Sequence, residues 1–238
     1  MMPPASDRPL KAVIFDLDDT LYTMRGVHEQ ALANMAAYAC RAFGITEDAF
    51  YKEFLRARDE TFAEMPKNGT SHSRLIWAQR MCENNGWNPF VHASRMEAAY
   101  WDFFIDHIEP KKGAEECLKM LKEAGIKTAL CTDMQLAFQY RKIRKLGFEA
   151  YLDVMVASDL SGADKPDPLT YRETLKRLGT RPEETVMVGD NLTKDVLGPM
   201  AVGIGGIWFN DYGQNEEGVS VPTAHNYEEL MKLLREKL

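Results

Sequence analysis

Four stretches of this chain place acids, a hydroxyl and an amine directly after short apolar runs. The first is Ala12-Val13-Ile14-Phe15-Asp16, followed by Leu17-Asp18. Carboxylates crowded at the end of a strand repel one another unless a proton or a cation relieves them, which points to a hard ion held through oxygen, Mg²⁺. The second run, Ile126 to Cys131, ends in Thr132-Asp133, and the third stretch is Gly162-Ala163-Asp164-Lys165-Pro166-Asp167-Pro168. The fourth, Val186-Met187-Val188, leads into Gly189-Asp190-Asn191-Leu192-Thr193-Lys194-Asp195. If these ends meet at one sheet edge, carboxylates can hold Mg²⁺ while a hydroxyl and a lysine hold the oxygens of a phosphoryl group in transfer. One Asp beside the metal can then attack phosphorus and form an aspartyl phosphate. Each residue also has a plainer reading: Thr132 as a helix N-cap, Lys165 as a solvated loop lysine, Asp190 and Asp195 as acids charging a helix N-terminus.

Elements able to position these residues are legible in the hydrophobic pattern. The run at Ala12 fits a strand buried on both faces of a parallel sheet. From Gly26 the period changes, and Val27 to Phe43, Thr46 to Met65, Ser71 to Asn85 and Phe90 to Ile108 carry apolar residues at helical spacing. Gly44, Pro66-Lys67-Asn68-Gly69 and Gly86 with Pro89 punctuate them. The Met and aromatic residues of this four-helix bundle are expected to form its core. After Pro110 strand and helix alternate: helices over Gly113–Ala124, Gln135–Leu146, Pro168–Leu178, Lys194–Ala201 and Tyr227–Lys237, strands over Ile126–Cys131, Val154–Ala157, Val186–Gly189 and Gly205–Phe209, and an exposed loop at 214–223. Such alternation predicts a Rossmann-like α/β core, a parallel sheet with helices on both faces. The expected organisation is a core of residues 1–22 and 106–238, interrupted after its first strand by an α-helical cap of residues 23–105.

Composition narrows the partners. The 238 residues are 45% hydrophobic, enough for a sizeable core, and the net charge of −7 with scattered basic residues argues against a nucleic-acid footprint. Cys40, Cys82, Cys117 and Cys131 show no C-x-x-C pairing and read as reduced thiols. Met1 to Leu10 lacks an apolar signal segment and is expected to be a frayed tail, and no run is long enough to span a membrane. A cytoplasmic protein, monomer or homodimer, is the expectation.

Together, Asp16-x-Asp18-x-Thr20, Thr132, Lys165-Pro166 and Gly189-Asp190-x-x-x-x-Asp195 resemble the motifs of the haloacid dehalogenase superfamily, in their order and strand context. The helical insertion resembles that superfamily's small C1-type cap. The resemblance implies Asp16 as nucleophile and metal ligand, and Asp18 as general acid/base whose backbone carbonyl also meets the metal. It implies Thr132 and Lys165 on the phosphoryl oxygens, Asp190 completing the Mg²⁺ site, Asp195 orienting its ligands from behind, and Thr20 stabilising the loop. Asp16 would be kept ionised by Mg²⁺ and Lys165, and Asp18 would be protonated when it meets the leaving oxygen. Position 133 is more often Asn in such enzymes, so Asp133 adds a negative charge beside the phosphate site.

The implied activity is hydrolysis of a small phosphorylated metabolite, in a subfamily that includes phosphoglycolate phosphatases, and the contexts around Gly189-Asp190-Asn191 and Gly206-Ile207-Trp208-Phe209-Asn210 resemble phosphatases of nucleotides and of sugar or acylneuraminate phosphates. A phosphomutase of the β-phosphoglucomutase type would use the same core. A haloacid dehalogenase needs no acid at position 18, and a receiver-like phospho-accepting module carries neither this order nor a cap. Among cap residues, Arg25, His72 and Arg74 are the candidate substrate contacts.

Overall fold

The computed structural model describes residues 9–238. Ten α-helices and six strands are found among them, with the order β1 (Ala12–Phe15), α1 (Val27–Phe43), α2 (Glu47–Glu64), α3 (Arg74–Asn85), α4 (Pro89–His107), α5 (Ala114–Glu123), β2 (Lys127–Thr132), α6 (Leu136–Leu146), β3 (Val154–Ala157), α7 (Ser158–Ser161), α8 (Pro168–Leu178), β4 (Thr185–Gly189), α9 (Gly198–Met200), β5 (Gly205–Phe209), β6 (Thr223–Ala224) and α10 (Tyr227–Arg235). The strands form one parallel sheet in the order β3-β2-β1-β4-β5-β6. The chain therefore builds outward from β1 in one direction and then restarts on its other side with β4. The strand order reverses between β1 and β4, and a crevice opens outside their carboxyl ends, where open α/β sheets take ligands.

All four residues of β1 are fully buried, because side chains alternate between two covered faces. Ala12 and Ile14 pack with Ala129, Met187 and the Tyr171, Leu175 and Leu178 side of α8. Val13 and Phe15 pack the other way, with Leu130, Val188, Leu118 and Leu121 of α5, and Leu230 and Leu234 of α10. That second cluster runs without a break into the four helices α1–α4 through Leu17, Leu21, Tyr22, Phe104 and Ile108.

The four inserted helices form where periodicity predicts, and three of them carry side-chain caps: Thr46 Oγ1 accepts from the Ala49 N–H (3.3 Å), and Ser73 and Asn88 cap α3 and α4 in the same way. They are docked onto the sheet domain. The Gly69 N–H donates to Asp164 (2.9 Å), the Asp164 N–H donates to the Lys67 carbonyl (2.8 Å), and Arg141 pairs with Asp102 (2.9 Å). A Cβ on Gly69 would stand 2.9 Å from the Met134 carbonyl oxygen, so this approach requires glycine.

Four expectations change. The tail reading lies outside the described residues through Arg8 and fails at Leu10, which is buried and donates its N–H to Lys237 O (3.2 Å). Thr223, the last residue of the expected loop, joins Ala224 in a short strand that pairs with β5. A short helix, α7, follows β3 directly. The helix expected over Lys194–Ala201 begins earlier, at Leu192, and is π-helical through Leu197, its wide turn closed by the Gly198 N–H on the Thr193 carbonyl. All four cysteines are unpaired. Among the described residues no helix is long and apolar enough to cross a membrane.

Candidate active site

Strand ends bring the predicted residues together. Asp16 follows β1 and its N–H continues the ladder to Val188 O (2.9 Å), so the Asp16 carboxylate emerges beside the end of β4, where Asp190 begins the next loop. Thr132 ends β2, and Lys165 reaches in from the segment between α7 and α8. Lys165 is 4% exposed, and its Nζ lies 2.6 Å from both Asp16 Oδ1 and Asp195 Oδ1, so it is no solvated loop lysine. Asp195 spends its other oxygen on the Asn191 N–H (3.0 Å), while Asn191 caps the π-helical turn by accepting from Lys194 N. Its carboxylate presses on the Cα of Gly189: a Cβ there would meet Asp195 Cγ at 2.4 Å. Glycine at 189 is therefore what lets Asp195 approach the site.

Thr132 does not cap α6, whose N-cap position is Gln135; its hydroxyl accepts from Gln139 Nε2 (2.6 Å). Thr20 Oγ1 accepts from the Asp190 N–H (3.2 Å), and the Thr20 carbonyl accepts from Tyr227 OH (2.8 Å), which ties the loop after β1 to the loop after β4. Asp19 sits in the left-handed region (φ 59°) and accepts from Met24 N and Tyr212 OH, turning the chain toward α1. Asp133 accepts from Lys165 N (2.8 Å) and faces Lys194 Nζ at 2.7 Å, so its extra charge is offset and put to use in fixing the Lys165 loop.

The Asp18 carboxylate turns away from the other acids. Its Oδ1 accepts from Lys142 Nζ (2.7 Å) and from Tyr22 OH (2.5 Å). Sequence reading missed Lys142, which is 1% exposed on α6. The signal was available: Gln139, Lys142, Ile143 and Leu146 fall at the three- and four-residue spacing of the buried face of that helix.

The protein's own groups separate the two acids, Asp16 upward and Asp18 downward. Burial drives the Asp16 pKa well above the ordinary carboxylate range; Lys165 opposes this, and Asp195, Asp190 and Asp18 add to it. Lys165 offsets only part of the effect of burial. For Asp18 burial also works upward, but Lys142 and the Tyr22 hydrogen bond outweigh it and its pKa falls below the ordinary value. Asp190 is pushed up to about 7 by burial and by Asp195 and Asp19. Burial works against the Lys165 ammonium, yet Asp16, Asp195 and Asp133 outweigh it and keep it protonated.

Oxygen atoms of Asp16, Asp190 and Asp195 lie within 4.8 Å of one another. Three hard donors held together against their own repulsion, with a raised proton affinity at Asp16 and Asp190, fit a hard cation, which would relieve that repulsion.

The crevice above these groups has a volume of about 220 Å³, below the range typical of drug-sized ligands. Its floor is the sheet edge; its roof is Met24, His72, Arg74, Tyr100, Trp101 and Phe104 from the inserted helices and their loops. Of the three candidate roof contacts, His72 lines the crevice but already faces Asp164 (3.3 Å), and Arg74 lines it as well. Arg25 does not: its guanidinium stacks 3.8 Å over the ring of Tyr212.

Residues 10–203 match the family model of haloacid dehalogenase-like hydrolases. The chain is 29% identical over 218 residues to a ribulose-1,5-bisphosphate 5-phosphatase of Halopiger xanaduensis, covering 90% of each. It is 32% identical over 195 residues to a glyceraldehyde 3-phosphate phosphatase of Methanopyrus kandleri, covering 82% of each. A HAD phosphatase from Thermococcus onnurineus has a similar crystal structure, with a TM-score of 0.72 at 26% identity over 94% of this chain and 98% of that one. With its acids, lysine and threonine on the floor of one crevice, this chain belongs to the haloacid dehalogenase-like hydrolases. Within them it is a phosphatase.

Proposed function

We propose that the chain hydrolyses the phosphate monoester of a small sugar or sugar-derived metabolite through a phosphoryl group carried on Asp16. The observation that supports this most is Lys165 Nζ, 2.6 Å from Asp16 and from Asp195, at the crevice where β1 and β4 diverge. Lys165 and the Thr132 hydroxyl hold the non-bridging oxygens of the phosphoryl group. An Asp16 oxygen attacks phosphorus as the bond to the ester oxygen breaks, and Asp18 gives that oxygen its proton. Asp18 then takes a proton from water as the water oxygen attacks phosphorus, releasing inorganic phosphate and restoring the Asp16 carboxylate. Lys142 and Tyr22 favour the ionised Asp18 that this second step needs; the proton given in the first step is one Asp18 takes up in the filled crevice. Asp16 and Asp190, with the chain at Asp18, would hold Mg²⁺, and Asp195 would fix Lys165 and the ion's surroundings. A bound Mg²⁺ supplies positive charge against the transferring phosphoryl oxygens.

Residues 23–105 act here as a cap on a core of residues 1–22 and 106–238, excluding water over the reacting phosphorus. The names of the two curated relatives make phosphorylated sugars of three to five carbons the first esters to assay. Purified protein should release phosphate from an aryl phosphate with Mg²⁺, lose that activity in excess chelator and regain it on adding Mg²⁺. Asp16→Asn should lower turnover by roughly a thousandfold or more and leave no phosphoenzyme on acid quenching. Activity indifferent to thorough chelation would remove the metal from this reading, and near-parental turnover in Asp16→Asn would remove the nucleophile.

A further inference from the structure

The crevice holds four cationic side chains of Lys or Arg type, and three of them are spoken for. Lys165 lies on Asp16 and Asp195, Lys142 on Asp18, and Lys194 on Asp133, all within 2.7 Å. The fourth, Arg74 at the start of α3, is 7% exposed, and no carboxylate lies within ion-pairing distance of it among the described residues. Its guanidinium donates to the His72 carbonyl (2.8 Å) and makes long contacts, 3.5 Å each, with Met134 Sδ and Tyr100 OH. The rings of Trp77, Tyr100 and Trp101 stand around it at 4.8 to 5.2 Å. Its Nε has no hydrogen-bond partner, and neither does the indole Nε1 of Trp101, which is 2% exposed and lines the same crevice.

Asp18 and Glu97 reach this guanidinium only at longer range; a buried guanidinium with no carboxylate in contact is costly, and so is each buried donor left unmade. Both orphans are donors, Arg and Trp having no acceptor to offer, so the group that completes them brings acceptor oxygens and negative charge. They belong to the roof, whereas the reacting phosphoryl group is held at the floor.

From this we infer that Arg74, with Trp101 Nε1, receives a second anionic group, a carboxylate or another phosphate, on the leaving-group side of the substrate. The inference rests on the phosphatase reading and narrows it: the preferred ester is a phosphorylated metabolite with an acid at its far end. A fork-shaped guanidinium framed by aromatic rings suits planar carboxylate and phosphate oxygens alike, so the two sources are separated by assay.

The test compares kcat/KM for matched phosphate esters of two- to five-carbon chains that end in carboxylate, phosphate or hydroxyl. The parent protein should favour one anion-ended series over the hydroxyl-ended one by about tenfold or more, the value of a charge-assisted hydrogen bond. Which series wins names the anion. Arg74→Gln should bring that ratio to within about twofold of unity, and Arg74→Lys should keep part of it. Trp101→Phe retains the ring and removes the donor; it should lower the ratio severalfold, and it decides the matter should the Arg74 variants fail to fold. A parental ratio near unity at every chain length, or a ratio that stays high in the variants, overturns the assignment. Hydrolysis without anion preference defeats only this inference; a parent that hydrolyses no ester at all defeats the phosphatase reading and this one with it.

Discussion

The floor and the roof of the crevice are built on different principles. On the floor, Asp16, Thr132, Asp190 and Lys165 stand at strand ends or on loops tied to them, and every lysine there lies on a carboxylate. The roof is aromatic, with Tyr100, Trp101 and Phe104 packed ring to ring, and its Arg lacks an acid. Strand pairing fixes the floor residues relative to one another through the backbone, the rigidity that in-line phosphoryl transfer demands. Roof residues are set by side-chain packing on helices, which one substitution can re-shape without disturbing the sheet. On the proposed reading, chemistry resides on the floor and choice of substrate on the roof.

Three substitutions test that division. The largest effect belongs to the floor: Lys165→Met strips Asp16 and Asp195 of their shared cation and should lower kcat for all esters alike, by roughly a hundred- to a thousandfold. A loss confined to some substrates would mean that the floor also selects. Next comes Lys142→Met. Without that ammonium the Asp18 carboxyl binds its proton more tightly, so the limb of the pH–rate profile that reports Asp18 should move to higher pH, with kcat down about tenfold. An unmoved limb would show that Asp18 is governed by something other than Lys142.

The last effect is on the roof and concerns stability alone. His28 donates to or accepts from Tyr100 OH (2.6 Å), and its pKa is pushed down to about 4 by burial and by Arg74. Between its ordinary value of 6.5 and 4, the unfolded chain takes up a proton that the folded one refuses, so stability falls as pH falls through that window. The full difference is about 3 kcal/mol. His28→Asn should flatten this part of the stability curve, read from denaturant unfolding at pH 7 and at pH 4.5. Equal losses in parent and variant would show that the ring does not titrate in this way.

What was legible in the sequence follows the same division. Asp16, Thr132 and Asp190 stand at or just beyond the ends of apolar strands, Lys165 in a turn-rich loop and Asp195 five residues after Asp190, so their order and strand context, with the family resemblance, mark them. Asp18 was legible as a residue but not in its state, because the cation that sets it comes from α6, far along the chain. Lys142 and Arg74 share one disguise. Each is a basic residue on the buried stripe of a helix, Arg74 three, four and seven residues before Trp77, Ala78 and Met81. A stripe predicts burial, not what a charge on it will face. Arg25 shows the converse: near Asp16 and Asp18 in sequence, it is captured by Tyr212 from the segment after β5. The π-helical turn was hidden because ordinary helical spacing describes Val196 and its neighbours equally well.

The central place of β1 also bears on how the chain acquires its shape during synthesis. Ala12 pairs with Lys127 on one side and Thr185 on the other, so the strand leading to Asp16 is made first while its second edge waits for β4. Closing such long loops costs entropy before any pairing rewards it, which makes sheet assembly the slow part of folding. Helices α1 to α4 emerge in between and contact mainly one another. Nascent chains thus hold a helical bundle with an unpaired apolar strand at its root, and the vulnerable interval for aggregation lasts until β4 leaves the ribosome.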